Sequence, residues 1–305
     1  MQMTKKAVVV KNMSVKFGDF YAVRDVSFDV SRGEIFGFLG ANGAGKTTTI
    51  RVLCGLLPAS SGVVIVDDVL FLQGRENEVK KKVGYMSQRF TLYDDLSVKE
   101  NFDFAAALRN LTKKQYLEQR KKLLEFIGFD RNLRVVVKNL PAGLKQQIAL
   151  CVALLHNPKI IFLDEPTAGV APRARLSFWE LIKKLAKEGK TIFVTTHYMD
   201  EAENCGRIAL MRDGRLIEID SPEKLKQKTF GDSLYRLRPR KKNPKMPNLD
   251  LLDMWQPYGA SYHLHFKNGV YVAKYLRDLK SDWEISQVKP SLEDVFIKLV
   301  EEQNK

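Results

Sequence analysis

Acidic residues are in short supply. The 305-residue chain carries 36 Asp and Glu against 50 Lys and Arg, a formal net charge of +14. That excess is compatible with nucleic acid, an anionic membrane surface or a basic soluble protein, and by itself selects none of them. Cysteine is scarcer still. Cys54, Cys151 and Cys205 stand far apart, two of them inside apolar runs, which excludes a paired-cysteine zinc site and a disulfide framework and points to a reducing compartment. Long apolar runs are missing too: the longest, Ile148–Leu155, falls far short of the roughly 20 residues that span a bilayer. The opening MQMTKKAVVV lacks the apolar stretch of a signal peptide. The expectation is a soluble intracellular chain. With 45% hydrophobic residues it can build a real core, and its length allows two domains.

What is present reads as α/β. AVVVKNMSVKF and YAVRDVSFDV are strand-like, the second with Val26, Phe28 and Val30 alternating. EIFGFLG runs as a buried strand into a glycine-rich turn, followed by the helical TTTIRVLCGLL. Residues 95–156 are mostly helical, with Ser97 and Glu100 forming a capping box and Thr112 a second cap. KIIFLDE and TIFVTTH return to the short branched runs of parallel strands covered on both faces. RIALMRDGRLIEI predicts a hairpin around Asp213-Gly214. Beyond it, RLRPRKKNPKMP (residues 236–247) holds six cationic side chains among three prolines and predicts an extended connector or exposed loop. YHLHFK-NG-VYVAKY predicts another hairpin at Asn268-Gly269, with His263 and His265 on a solvated face opposite Tyr262, Leu264 and Phe266. Two histidines invite a metal, but no third ligand stands near them. Ser291 and Asp294 box the start of a closing helix, so residues 233–305 read as a small α+β domain.

The strongest chemical signal is Gly40-Ala-Asn42-Gly43-Ala44-Gly45-Lys46-Thr47, which matches G-x-x-x-x-G-K-[ST] between a strand and a helix. Such a loop turns backbone N–H groups inward around phosphate oxygens. Lys46 supplies a point charge to the outer phosphates, and the Thr47 hydroxyl a ligand for Mg²⁺. A chance match in a chain of this length has odds of about one in a hundred. The second signal is Asp164-Glu165 at the end of Ile160-Ile-Phe-Leu: Asp164 is placed to hold Mg²⁺, and Glu165 to polarise an attacking water.

With these in place, the chain resembles the ATP-binding subunits of ABC transporters over residues 7–222, with motifs in the family's order. The resemblance implies ATP and Mg²⁺ as cofactors. It makes Gln88 the Q-loop glutamine, at the metal and facing membrane subunits, and His197 the switch histidine on the γ-phosphate. DEPTAGV follows the second acid as in the family. Phe17 lies where the family stacks an aromatic on adenine, with Tyr21 a weaker competitor, and Thr48 completes the nucleotide loop. The implied fold is a P-loop NTPase of ABC type: a cassette over 1–232 with an N-terminal antiparallel β-subdomain and a helical insertion at about 90–156, then a C-terminal α+β extension over 233–305.

Two motifs depart from the family. NLPAGLKQQ stands where the signature Leu-Ser-Gly-Gly-Gln opens the helix that faces the other cassette's γ-phosphate. Leu140 and Gly143 match, but Pro141 and Ala142 replace the serine and the first glycine. Ala171 stands where the family has Asp, before Pro172. Losing a hydrogen bond to a charged oxygen costs about 1.5–3 kcal/mol, about one to two powers of ten in rate if it acts in the transition state. The Gly143 amide can still face a phosphate, so the loop is weakened and not dead.

The ending PSLEDVF resembles the drug- and lipid-exporting branch. The function so implied is the ATP-hydrolysing subunit of an exporter, peripheral on the inner face of the cell membrane. Its partners are integral membrane permease subunits and a second cassette, with a heterodimer slightly favoured. A soluble ABC ATPase acting on nucleic acid or ribosomes is the alternative from another class, and a weakly hydrolysing regulatory cassette a third reading. One cassette without zinc-type cysteine pairs or an RNA-binding module argues against nucleic acid.

Overall fold

The computed structural model describes residues 6–71, 75–88, 92–267 and 272–302. Two compact units emerge, Met1–Ile219 and Asp220–Lys305. The sequence alone places the break later, after residue 232. The first unit begins with β1 (Lys6–Phe17), β2 (Phe20–Ser31), β3 (Ile35–Leu39), α1 (Lys46–Leu53), β4 (Ser61–Val66) and β5 (Val69–Leu70). It continues through α2 (Glu76–Lys82), β6 (Val83–Met86), α3 (Val98–Leu108), α4 (Lys113–Phe126) and α5 (Ala142–Leu154). It closes with β7 (Ile160–Asp164), α6 (Pro172–Lys187), β8 (Thr191–Thr196), α7 (Met199–Ala202), β9 (Arg207–Arg212) and β10 (Arg215–Asp220).

These strands make two sheets. One is antiparallel, in the order β2-β1-β4-β5. The other runs β10-β9-β3-β8-β7-β6, with β9, β3, β8, β7 and β6 all parallel. β7 and β8 are buried along their whole length, as continuous apolar runs covered on both faces must be. Phe36 and Phe162 meet Phe193 at ring-centroid distances of 5.7 and 4.7 Å, filling the space beneath the sheet. The β9–β10 hairpin forms as expected, because Asp213 and Gly214 take the left-handed backbone (φ 49° and 74°) that such a two-residue turn requires.

The helical block lies between β6 and β7. Its α3 starts on the Ser97–Glu100 box: Ser97 N–H donates to Glu100 Oε2 at 2.7 Å, and Glu100 N–H to Ser97 Oγ at 3.2 Å. Thr112 and Gln115 do the same for α4. Because β3, β7 and β8 are parallel, their C-terminal ends emerge along one edge, the edge at which parallel sheets bind ligands. Gly40, Asp164 and His197 therefore start from neighbouring points.

The second unit contains α8 (Pro222–Phe230), β11 (Leu234–Pro239), β12 (Leu252–Tyr258), β13 (Ser261–Phe266), α9 (Val272–Leu279), β14 (Trp283–Gln287) and α10 (Leu292–Glu302), with sheet order β12-β13-β11-β14. Three expectations are corrected here. The basic segment is neither connector nor loop at its start: residues 236–239 pair within the inner strand β11, while residues 240–246 form the mostly exposed loop. Farther on, Lys241 is bridged to Asp282 at 2.8 Å, and the Lys245 carbonyl accepts from Trp283 Nε1 at 2.8 Å. Nor is there a hairpin after β13, although Asn268-Gly269 itself lies outside the described residues. β13 already has β12 and β11 on its two edges, and the following residues form α9, whose Val272, Tyr275, Leu276 and Leu279 pack on the core under the sheet.

The third correction concerns the histidines. The face of His263 and His265 is covered, not solvated. His263 is 6% exposed, its Nδ1 lies 2.8 Å from Asp294 Oδ1 in α10, and its ring stacks on Tyr258. His265 Nδ1 lies 3.2 Å from Asp253 Oδ2, and its ring meets the Phe230 edge. Asp294 also closes the helix-start box with Ser291, so one carboxylate both caps α10 and docks it on the sheet. Among the described residues no group of three or more His, Cys, Asp or Glu could hold a metal.

Candidate active site

The phosphate-type loop is built by backbone geometry. Gly45, with φ 101°, precedes α1, and a Cβ there would meet the Ala22 carbonyl oxygen at 2.7 Å. No side chain caps α1. Its first N–H groups have no helical acceptors, and the first to find one is Thr49, on the Gly45 carbonyl at 2.9 Å. These donors and the positive end of the helix dipole point to an anion. The space beside them is a cavity of about 550 Å³.

Lys46 is 4% exposed. Its Nζ donates to the Gly40 and Ala41 carbonyls at 2.8 and 3.0 Å and lies 3.7 Å from Glu165 Oε1. Burial pushes the ammonium below its ordinary pKa, while the Glu165 and Asp164 carboxylates pull it back up. Asp164 is also buried, and burial raises its carboxyl, opposed by the hydroxyls that donate to its Oδ1: Thr195 at 2.6 Å and Thr47 at 3.0 Å. An aspartate and a threonine hydroxyl in contact offer the hard oxygen donors that Mg²⁺ takes, together with phosphate. The residues present fit the cation.

Glu165 takes a left-handed backbone, φ 47°, held by its N–H donating to Thr195 Oγ1 at 2.8 Å. An L-residue adopts that conformation only where its surroundings impose it, and here it turns the carboxylate over the loop. Glu165 Oε2 accepts from Gln88 Nε2 at 2.9 Å. His197 Nδ1 stands 3.2 Å from the same oxygen without hydrogen-bond alignment.

Phe17, Asn42, Gly43, Gly45, Lys46, Thr47, Thr48, Gln88 and Glu165 thus share one cavity. Gly40 and the buried Ala44 support it from behind, Asp164 reaches it through Thr47, and His197 through Glu165. Pro141 and Gly143 are not among its lining; Pro141 precedes α5 and Gly143 lies in its first turn. Tyr21 faces elsewhere, taken up by Lys16 and Arg24 at 5.3 and 4.6 Å from its ring centroid. Phe20 and Ala22 line the cavity beside Phe17, and nothing local in the sequence distinguishes them from ordinary strand residues. Thr195 carries no sequence signal either, because its contacts with Asp164 and Glu165 depend on β7 and β8 being neighbours.

Neither departing motif carries a cap. Pro141 and Ala171 precede α5 and α6 with no side-chain hydrogen bond, and Pro172 fills the first turn of α6. Gly143 serves packing: a Cβ there would sit 2.7 Å from Ala174 Cβ, so it permits close approach of α5 and α6. Gly143→Val is therefore expected to cost about 1–3 kcal/mol by overpacking, read as a lower urea midpoint. An unchanged midpoint would mean that the two helices part freely.

Residues 23–168 match the ABC transporter family. The chain is 42% identical over 225 residues to the probable multidrug ABC transporter ATP-binding protein YbhF of Escherichia coli, covering 74% of this chain and 39% of that protein. It therefore spans about two fifths of that relative's length. It is 33% identical over 305 residues to the Nod factor export ATP-binding protein I of Cupriavidus metallidurans, covering 95% of this chain and 96% of that one. Among solved structures, an ATP-binding subunit of an ABC transporter superposes with a TM-score of 0.65 at 26% identity, covering 73% of this chain and 92% of that one. The dimeric post-hydrolysis structure of the ATP-binding cassette MJ0796 bound to ADP and Pi gives 0.63 at 25% identity, covering 70% and 98%.

Proposed function

The chain belongs to the ABC transporter family, among ATP-binding subunits of the exporter type, and from that premise we propose that it binds Mg·ATP in the Gly40–Thr48 loop and hydrolyses it between two cassettes packed head to tail, driving export through separate permease subunits. The observation that carries this reading is the convergence of Lys46, Gln88 and Glu165 on one cavity at the C-terminal edge of the parallel sheet, with His197 lying against Glu165. The uncapped α1 and Lys46 hold the phosphates, and Phe17 offers its ring to the base. Thr47, Asp164 and Gln88 would hold Mg²⁺, which would neutralise phosphate charge. Glu165 takes a proton from the attacking water, and His197 contacts the γ-phosphate. Gln88 and Lys46 already orient the Glu165 carboxylate. This reading assigns the pathway to separate permease chains and seats the cassette on the inner face of the cell membrane; among the described residues no helix is long and apolar enough to cross a membrane.

The second cassette is a different chain on this reading. Both departures, Pro141–Ala142 and Ala171, affect what this chain gives its partner, while its own loop is intact. A homodimer would be weakened at two sites and a heterodimer at one. Restoring Pro141→Ser, Ala142→Gly and Ala171→Asp together is expected to raise the ATPase of the isolated chain about tenfold or more, as one or two recovered charged hydrogen bonds imply. Brisk hydrolysis by the unmodified chain, with no gain on restoration, would overturn the heterodimer.

A further inference from the structure

His197 lies against Glu165 with its side chain 34% exposed, and that contact lacks hydrogen-bond alignment. Such a ring needs another support to fix its plane. Its second neighbour is Tyr198: the ring centroids are 4.1 Å apart, with the planes 38° from parallel. Tyr198 in turn carries the guanidinium of Arg175, whose Cζ lies 4.0 Å from the ring centroid. Arg175 has its own ion-pair partners. Its side chain is 17% exposed, with Nε 3.3 Å from Glu201 Oε1, a close charge contact without hydrogen-bond alignment, and Nη1 3.6 Å from Asp200 Oδ2.

Glu201 is buried at 2% exposure. It accepts from Thr196 Oγ1, next to His197, at 2.8 Å, and from Thr167 Oγ1, two residues after Glu165. Arg175 N–H donates to the Ala171 carbonyl at 3.0 Å, placing the guanidinium one turn inside α6. A continuous chain of side chains therefore runs from the first turn of α6 to the imidazole.

We infer that Arg175 and Tyr198 are positioning residues for the hydrolytic step: the guanidinium fixes Tyr198, and the tyrosine ring fixes the plane of His197. This rests on the reading above in which His197 serves hydrolysis. Stacking needs the flat face of the guanidinium, so lysine can pair with Glu201 without replacing it.

The test is steady-state ATPase of the full chain with Mg·ATP, with ATP affinity by calorimetry and thermal midpoints alongside. Tyr198→Leu should lower kcat about tenfold, since small misplacements at reacting groups have effects of that order or larger, while ATP affinity stays unchanged. Tyr198→Phe should restore kcat, because the ring face and not the hydroxyl is used. Arg175→Lys should lower kcat without lowering affinity. Parental kcat in Tyr198→Leu would overturn the inference whatever Arg175→Lys does. So would a joint fall of affinity and thermal midpoint that Tyr198→Phe does not relieve, the mark of a merely structural role. Glu165→Gln, run beside them, separates the two readings. If it hydrolyses at the parental rate, the site assignment itself is wrong; if it is dead while Tyr198→Leu is normal, only the positioning role falls.

Discussion

Glu165→Gln should hold ATP and almost cease to hydrolyse it. The substitution keeps the shape of the side chain and leaves an oxygen for Gln88, which now donates at 2.9 Å. What it removes is the capacity to take a proton. General-base assistance contributes about 10²–10⁴-fold, so kcat at saturating ATP is expected to fall by about two orders of magnitude or more. Binding should survive, because the phosphate donors belong to the backbone of residues 43–47 and to Lys46. Lys46 also loses a carboxylate 3.7 Å away, leaving the ammonium freer to face phosphate. With hydrolysis slowed and binding kept, ATP should promote a longer-lived pair of cassettes, visible as ATP-dependent association in gel filtration. Hydrolysis by this variant at the parental rate would mean that another residue is the base.

How much of this is legible in the sequence follows from how local each signal is. The loop from Gly40 to Thr47 is contiguous, and its strand–turn–helix context is written in the flanking residues. Asp164 and Glu165 follow directly on the apolar run that becomes β7. Gln88 and His197 carry no local signal, and become readable only through their order relative to these motifs. Arg175 and Glu201 stay invisible: they lie on α6 and α7, and meet only because Thr167 and Thr196 come from adjacent strand ends.

The second unit misleads for a related reason. Tyr262 to Phe266 alternates convincingly, and Asn-Gly invites a turn. Alternation over a few residues fixes the strand but not what its two faces meet. Here α10 seals the histidine face through Asp294 and Lys298. The VYVAKY that follows looks period-two over six residues, whereas positions 272, 275, 276 and 279 show the helical spacing once the window is extended to Leu279. The cations at 236–238 suggest a connector because charge and proline outweigh alternation. Yet Leu234 and Leu237 are fully buried, one on each face of β11.

Lys46→Ala should abolish measurable binding of Mg·ATP. The ammonium is nearly fully buried and satisfies the Gly40 and Ala41 carbonyls. Burial disfavours its charge, and only the nearby Glu165 and Asp164 carboxylates offset that. A cation held under these conditions gains most from a polyphosphate, which brings more negative charge and better acceptor geometry than one carboxylate at 3.7 Å. Each hydrogen bond to a charged group contributes about 1.5–3 kcal/mol, and a buried partner left bare adds a comparable penalty. With two of its three N–H groups on the carbonyls, the ammonium has one left for phosphate; losing that bond together with the bare-partner penalty should weaken affinity by at least about a hundredfold. The loss grows once the Glu165 carboxylate faces the phosphates without its counter-cation. Alanine is itself a good residue for the first turn of α1, so the helix should persist, and circular dichroism of the variant should match the parent. Titration calorimetry decides the matter. A parental dissociation constant in Lys46→Ala would mean that ATP is held somewhere other than the Gly40–Thr47 loop, and the roles given to Glu165 and His197 would go with it.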